Sequence, residues 1–255
     1  MSEKTSIQWT DATWNIARGC TKVNDDCKFC YMYRDSFDSS RYNPLKVTRT
    51  KTVFTLPLKI KEPSKIFTSS LTDFFHEDID SFRDEAWDII RRCPQHTFQI
   101  LTKRPERIRE CLPKDWFDGY ENVWLGVSAG SQENYDKMYW EFFDTPARIK
   151  FLSLEPLHGK ILLQGLEGQW DPWARVFDWV IIGGESGNDT GKYRYRPCEL
   201  QWIESLVTQC KDNNVLVFVK QLGTHLAKEM KMSERHGGNI EEFPKHLQIR
   251  EFPNV

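Results

Sequence analysis

Short apolar runs alternate with longer amphipathic segments along most of this 255-residue chain, and that alternation limits the fold more than any other feature. The runs have five or six residues and are rich in β-branched or aromatic side chains. They predict buried parallel strands, at residues 13–17, 65–70, 97–102, 123–128, 149–153, 179–183 and 215–219. Helical patterns lie between several of them, at residues 77–93, 105–112, 131–142 and 198–211. Repeated strand–helix units predict an α/β fold.

Strand–helix–strand connections of this kind build either an open doubly wound sheet or a barrel. No Gly-x-Gly-x-x-Gly sequence follows a predicted strand, which disfavours a dinucleotide-binding open sheet. We therefore expect a partial or near-complete (βα) TIM-type barrel across residues 1–223. Residues 224–255 are charged and irregular in pattern, and we expect them to form a C-terminal extension packed on the barrel.

Polar residues or glycines follow the predicted strands, at the edge where the catalytic groups of such barrels lie. The candidates at these positions are Ser69, Ser70, Asp73, Thr102, Lys103, Arg104, Ser128, Ser153, Glu155, Gly183, Gly184, Glu185, Lys220 and Gln221. Strand-to-helix turns are polar in most proteins, so each residue alone is weak evidence for a site. Glu155 lies between an apolar strand and a proline, a position that favours a carboxylate of a functional site over a surface carboxylate. Gly183 and Gly184 would let the backbone approach a ligand closely.

The basic residues at these strand ends have two interpretations. Lys103, Arg104 and Lys220 could bind an anion. Alternatively, each forms an ion pair with a carboxylate at a neighbouring strand end, for which the candidates are Asp73, Glu155 and Glu185.

Three of the seven cysteines lie in one short segment, as Cys20, Cys27 and Cys30 with the spacing C-x6-C-x2-C. Three thiolates cannot complete a structural zinc site, which takes four protein ligands. A [4Fe–4S] cluster held by three cysteines keeps one iron open for a cofactor. His76 has two interpretations, as a further metal ligand or proton carrier and as the acceptor of a helix-entry hydrogen bond. The remaining cysteines are expected to be small buried hydrophobes; they are Cys93, Cys111, Cys198 and Cys210.

The charge is nearly balanced overall but uneven along the chain. The formal net charge is −2, so composition predicts no general attraction to nucleic acid. Residues 1–65 carry twelve lysines and arginines against seven acidic residues, which indicates either a phosphate-facing surface or a solvated face of mixed charge. The N-terminus has no apolar signal core, and no apolar run approaches the roughly 18 residues of a membrane span. We expect a cytoplasmic protein without membrane contact.

Eight segments, at residues 9–15, 19–31, 69–78, 94–105, 123–128, 153–156, 179–187 and 218–221, together carry a resemblance. The chain resembles a phage-associated three-cysteine family of unknown function that belongs to or borders the radical S-adenosylmethionine (SAM) superfamily. The resemblance implies a radical SAM-like partial barrel, with a [4Fe–4S] cluster on Cys20, Cys27 and Cys30 and SAM on the fourth iron. It also implies an external electron donor, whose electron cleaves SAM and yields a 5′-deoxyadenosyl radical.

The resemblance further implies roles for individual residues. Phe29 would lie beside the adenine of SAM, although an aromatic residue there also serves as a plain loop anchor. The other implied cofactor-binding residues are Ser69 and Ser70 near the SAM amino group, Ser128 near the ribose, Glu155, Gly183 and Gly184. Glu155 and Lys220 are the implied catalytic residues. Two features depart from the superfamily pattern, which has C-x3-C-x2-C spacing and a Gly-Gly-Glu motif after its second strand rather than its sixth.

The leading hypothesis is a radical SAM enzyme that modifies or isomerises a nucleic-acid base, as in phage-type DNA modification. Tyr31, Tyr33, Phe74 and Phe75 are predicted near the site and could stack on bases. Because the net charge is near neutral, a partner protein is expected to assist DNA binding. Two alternatives remain open: a zinc-bound or metal-free interaction module that works with a partner protein, and a radical SAM enzyme acting on a peptide or small amine.

Overall fold

The computed structural model describes residues 5–35, 43–163, 176–191 and 193–254. The chain forms two compact units. Unit 1 consists of Met1–Asp25, Cys30–Val127 and Asp144–Arg148, and unit 2 consists of Asp26–Phe29, Ser128–Phe143 and Ile149–Val255. Residues 224–255, expected as an extension, therefore belong to unit 2.

The secondary structure alternates between strands and helices. The strands are β1 (Ala12–Trp14), β2 (Ala17–Arg18), β3 (Thr48–Arg49), β4 (Lys65–Thr68), β5 (Thr97–Thr102), β6 (Val123–Ser128), β7 (Ile149–Leu157), β8 (Trp179–Gly184) and β9 (Leu216–Gln221). The helices are α1 (Tyr31–Asp35), α2 (Arg83–Arg91), α3 (Ile108–Cys111), α4 (Gln132–Phe142), α5 (Leu200–Asp212) and α6 (Gly223–Glu229). In the part of the chain that the structure describes, no helix has both the length and the apolar character needed to span a bilayer.

Unit 1 contains a parallel sheet in which β1 pairs with β4, β4 with β5, and β5 with β6. Every residue of β6 is buried, because both faces of such a sheet are covered. Beside it, β2 and β3 form a two-stranded antiparallel ribbon, in which Ala17 faces Arg49 and Arg18 faces Thr48.

Unit 2 contains a second set of parallel pairs, in which β8 lies between β7 and β9. All six residues of β8 are buried. The end of the chain returns to β9 on its other side, where the Val219 amide donates to the Ile249 carbonyl and the Glu251 amide donates to the Val217 carbonyl, both at 2.9 Å.

The predicted α/β class and all seven predicted strands are confirmed, with boundaries that differ by a few residues. Several segments differ from prediction: the β2–β3 ribbon was not predicted, and residues 105–112 form a 3-10 turn at Pro105–Arg107 followed by α3. Residues 77–93 form a short 3-10 turn at Glu77–Ile79 followed by α2, because Phe82 leaves helical backbone geometry with φ of −138°. The tail after Gly223 is not irregular throughout, since it begins with α6, whose Leu226 and Ala227 are buried.

Candidate functional site

In unit 1 the segment around Cys20 is fixed to the chain that follows β4. The Gly19 amide donates to the Leu71 carbonyl at 3.1 Å, and the Cys20 amide donates to the Pro44 carbonyl at 2.9 Å. The Tyr33 hydroxyl donates to the Cys20 carbonyl at 2.5 Å. Since Leu71 lies three residues beyond the end of β4, these bonds place Cys20 near the carboxyl end of that strand.

Arg104, which follows β5, connects the same segment to the sheet. Its guanidinium is buried, lies 3.7 Å from the Cys20 sulfur, and donates to the Thr21 carbonyl and hydroxyl at 3.0 and 2.8 Å. Burial lowers the pKa of Arg104, but the charges of Asp73 and Cys20 outweigh it, so the pKa lies above its ordinary value. A cation this close to a sulfur favours the thiolate, the form that binds metals.

The carboxylate of Asp73 is the charge partner of Arg104, at 3.4 Å. It also accepts hydrogen bonds from the Thr102 hydroxyl at 2.7 Å and from the backbone amides of Phe75 and Lys103 at 3.0 Å. A buried carboxylate with this many donors is fully satisfied. Of the two interpretations of Arg104, the ion pair is therefore the one present.

His76 begins the turn after β4 and accepts a hydrogen bond at Nδ1 from the Asp78 amide, at 3.1 Å. Its Nε2 lies 3.0 Å from the Thr21 hydroxyl. Burial, followed by the nearby Arg104 charge, lowers the pKa of His76, which favours a neutral ring with its proton on Nε2. The structure thus shows the helix-entry hydrogen bond, and Nδ1 is occupied by it.

The hydroxyl groups of the adjacent residues Ser69 and Ser70 differ in their hydrogen bonding. The Ser70 hydroxyl lies 3.0 Å from the Asn15 side-chain nitrogen, which donates to it. Ser69 has a φ of +71°, and its buried hydroxyl has no hydrogen-bond partner among the described residues. An unsatisfied buried hydroxyl on a strained backbone is typical of a position where a ligand binds.

The three cysteines of the predicted metal site are divided between the units. Cys20 and Cys30 belong to unit 1 and Cys27 to unit 2, and all three are partly exposed. The four scattered cysteines are buried, as predicted. Burial raises the pKa of the Cys198 and Cys210 thiols to about 12, so these two groups are unreactive thiols.

In unit 2 the carboxyl ends of β7 and β9 are joined by an ion pair between Glu155 and Lys220. Lys220 Nζ lies 2.5 Å from Glu155 Oε1, and both side chains are about one-fifth exposed. Lys220 therefore follows the ion-pair interpretation too. The Ser128 hydroxyl donates to the Glu155 carbonyl at 3.2 Å, so its predicted contact with the SAM ribose stays a prediction.

The two glycines at the end of β8 make room for protein atoms, and their predicted contact with a cofactor stays a prediction. A Cβ at Gly184 would lie 2.2 Å from the Leu222 carbonyl oxygen, so this glycine permits close backbone packing with the start of α6. A Cβ at Gly183 would lie 3.2 Å from the Glu155 carboxyl carbon. Gly183 thus leaves space for the Glu155 side chain.

Glu185 is buried after β8 and is held by Arg196. The Arg196 guanidinium donates through Nε and Nη2 to the two carboxylate oxygens, each at 2.8 Å, and its backbone amide donates at 2.7 Å. The Phe29 ring centre lies 5.7 Å from the same guanidinium. Phe29 thus lies beside Arg196 in unit 2, and its predicted contact with the adenine of SAM stays a prediction.

A family model described as a protein of unknown function (DUF5131) matches residues 4–247. The chain belongs to this family. No curated protein and no solved structure was found to match the chain. The family description names no activity, so only the residues of this chain indicate its chemistry.

Three residues that fix other side chains or backbone groups near the strand ends were not predicted from the sequence. Arg196 has no motif signal, because it lies eleven positions from its partner Glu185. Buried Asp26 in unit 2 accepts from the Gly130 amide at 3.0 Å and lies 2.7 Å from His158 Nε2. His158 has no metal-ligand spacing, and only the tertiary fold brings it to Asp26.

The aromatic residues predicted to stack on bases need a correction. Phe74 and Phe75 are completely buried, and Phe74 packs edge-on against Trp87 at 4.9 Å between ring centres. Tyr33 is also buried. Tyr31 alone among the four is exposed, at 42%, and its hydroxyl donates to the Ser70 carbonyl at 2.5 Å.

Proposed function

We propose that this protein is a radical SAM enzyme in which Cys20, Cys27 and Cys30 hold a [4Fe–4S] cluster. In this proposal the chain forms a partial (βα) barrel of the radical SAM type. The observation that carries the proposal is the position of Cys20, fixed near the carboxyl end of β4 with the Arg104 guanidinium 3.7 Å from its sulfur. Active sites of parallel α/β folds lie at that end of the strands.

The exposure and the spacing of the three cysteines support this proposal. All three sulfurs belong to partly exposed residues, whereas the other four cysteines are buried. Cys27 and Cys30 are three positions apart, so the chain itself keeps their Cα atoms within about 10 Å. The Ser69 hydroxyl, buried and unsatisfied among the described residues, is an acceptor or donor ready for a polar group of SAM.

Bound there, the cluster and SAM would supply a 5′-deoxyadenosyl radical that takes a hydrogen atom from the substrate. The protein's own residues do the positioning. Arg104 holds the Cys20 segment and offsets the charge of its thiolate. Tyr31 and Tyr33 fix the Ser70 and Cys20 carbonyls. Glu155 and Lys220 form an ion pair whose side chains are about one-fifth exposed, and we propose these two as the catalytic residues.

The proposed substrate is a nucleic-acid base, consistent with phage-type DNA modification. The basic excess in residues 1–65 and the exposed Tyr31 ring support this choice. An external electron donor is required, and a partner protein is part of the proposal. Substrate-dependent transfer of deuterium into 5′-deoxyadenosine, measured with labelled DNA, labelled peptide and labelled amine, distinguishes the substrate classes.

The test is anaerobic reconstitution with iron and sulfide, followed by addition of SAM and a reductant. We expect iron–sulfur absorbance and formation of 5′-deoxyadenosine. Alanine at Cys20, Cys27 or Cys30 should abolish both signals. Cys111→Ala, at a buried cysteine, is the matched control and should retain them.

The zinc-module alternative predicts the opposite pattern. Tight zinc binding without iron incorporation would contradict the radical SAM proposal if Cys27→Ala leaves that zinc binding unchanged. Loss of both signals in Cys111→Ala as well would show that the alanine variants report on folding rather than on cluster binding.

A further inference from the structure

A basic groove lies over the β2–β3 ribbon of unit 1. It encloses about 500 Å³ and is lined by Arg18, Asn43, Lys46, Thr48, Arg49, Thr50, Lys51, Thr52 and Val53. Four of these residues are cationic, four others offer hydroxyl or amide groups, and none is acidic. This combination of charge and hydrogen-bond donors suits an anion with several oxygen atoms.

Most of the positive charge in this groove is not neutralised. Arg49 pairs with Glu85 at 2.6 Å and lies over the Phe54 ring. Arg18, Lys46 and Lys51 are exposed, and no carboxylate among the described residues pairs with them. Three exposed charges of the same sign therefore line this groove, and an anionic ligand would neutralise them.

The groove is built against the segment that carries Cys20. Arg18 precedes Cys20 by two residues, and the Thr50 hydroxyl donates to the Asn15 carbonyl at 2.8 Å. Gly19 has a φ of +101°, and a Cβ there would lie 2.3 Å from the Lys46 carbonyl oxygen. A ligand lying in the groove is therefore directly beside the cysteine segment.

We propose that this groove binds the phosphodiester backbone of a nucleic-acid strand. Arg18 lies at the end of β2, and Lys46 and Lys51 lie in the loops before and after β3, so the three unpaired cations come from three separate segments. This suits successive phosphates better than one compact anion. The choice of nucleic acid rests on the proposed function, and this site would be where the enzyme holds its polymer substrate. Binding requires neither SAM nor a reductant, so it is measured separately from the chemistry.

The test is fluorescence anisotropy with a labelled single-stranded DNA of 20 nucleotides and the full-length protein. Three backbone contacts predict a slope of log affinity against log salt of about −2, or a loss of about 16-fold between 50 and 200 mM salt. The triple variant Arg18→Gln, Lys46→Gln, Lys51→Gln should lose at least about tenfold in affinity, with a slope near zero. The control variant Lys114→Gln, Lys137→Gln, Lys211→Gln removes the same charge from exposed sites elsewhere and should bind as wild type.

Equal affinity of the two triple variants would overturn the proposal. So would a wild-type protein that binds inorganic tripolyphosphate, or phosphatidylserine–phosphatidylcholine vesicles, through these three residues but does not bind the DNA. DNA binding through the groove without 5′-deoxyadenosine formation would leave this inference standing and defeat the radical SAM proposal. The reverse result would defeat the groove alone.

Discussion

The strand ends of the two units both carry ion pairs, but the pairs differ in burial and therefore in what they can do. In unit 1 the Arg104–Asp73 side chains are 5% and 8% exposed, and Arg104 also holds the Cys20 segment. In unit 2 the Lys220–Glu155 side chains are 18% and 20% exposed. A buried pair is costly to break, and the cost falls as the two side chains become more exposed to water. The pair in unit 1 thus fixes the Cys20 segment, and the pair in unit 2 is less buried.

The largest effect is expected at Arg104. Arg104→Gln leaves Asp73 buried without a cation and should lower the free energy of unfolding by about 3–5 kcal/mol. Urea denaturation measures it. Arg148→Gln, which breaks an exposed pair with Glu121, is the control and should cost less than about 1 kcal/mol. Similar losses in both variants would remove the distinction between buried and exposed pairs.

Within unit 2 the same contrast separates Glu185 from Glu155. Glu185→Gln breaks a buried bidentate pair and should cost about 2–3 kcal/mol, because hydrogen bonds to charged groups are strong. Glu155→Gln should cost less than about 1 kcal/mol. It should nevertheless slow the proposed reaction by at least about 100-fold, the usual contribution of a general acid or base. The reverse order of stability losses would contradict the assignment.

At Ser69 in unit 1, we expect a substitution that raises the free energy of unfolding to weaken ligand binding. Ser69→Gly relieves a positive φ and removes an unsatisfied buried hydroxyl, so we expect a gain of about 1 kcal/mol in the free energy of unfolding. SAM affinity, measured by calorimetry on reconstituted protein, should fall. Ser70→Gly is the matched control and should not be stabilising, since φ at Ser70 is not positive and its hydroxyl is bonded.

The smallest effect is a pH dependence from His76. Its lowered pKa means that the folded state favours the neutral ring, so its contribution is complete above about pH 6.5 and is lost as pH falls through the lowered value. The facing charges are Arg104, Asp73, Glu77 and Asp78, and Arg104 acts with burial to lower the pKa.

Thermal melting between pH 7.5 and 5 measures this dependence. His76→Asn keeps an acceptor for the Asp78 amide but does not titrate, so the variant should lose less stability in acid than the wild type. An unchanged acid sensitivity in the variant would show that His76 is not its source.

The elements of the fold were largely predictable, whereas the partners within the site were not. Apolar runs predicted all seven strands, because burial of both sheet faces leaves a strong pattern. The helix α6 was missed because charged residues follow it closely. Lys220 was predicted as an anion binder or an ion pair, and only the structure chose the ion pair.

The sequence by itself determined the α/β class, the strand positions and the burial of four cysteines, since these follow from local pattern and hydrophobicity. Only the tertiary structure decided that Arg104 reaches Cys20, that Arg196 holds Glu185, and that Gly184 serves chain packing. The physical reason is that such contacts join residues up to 84 positions apart, where spacing along the chain carries no information on distance in space.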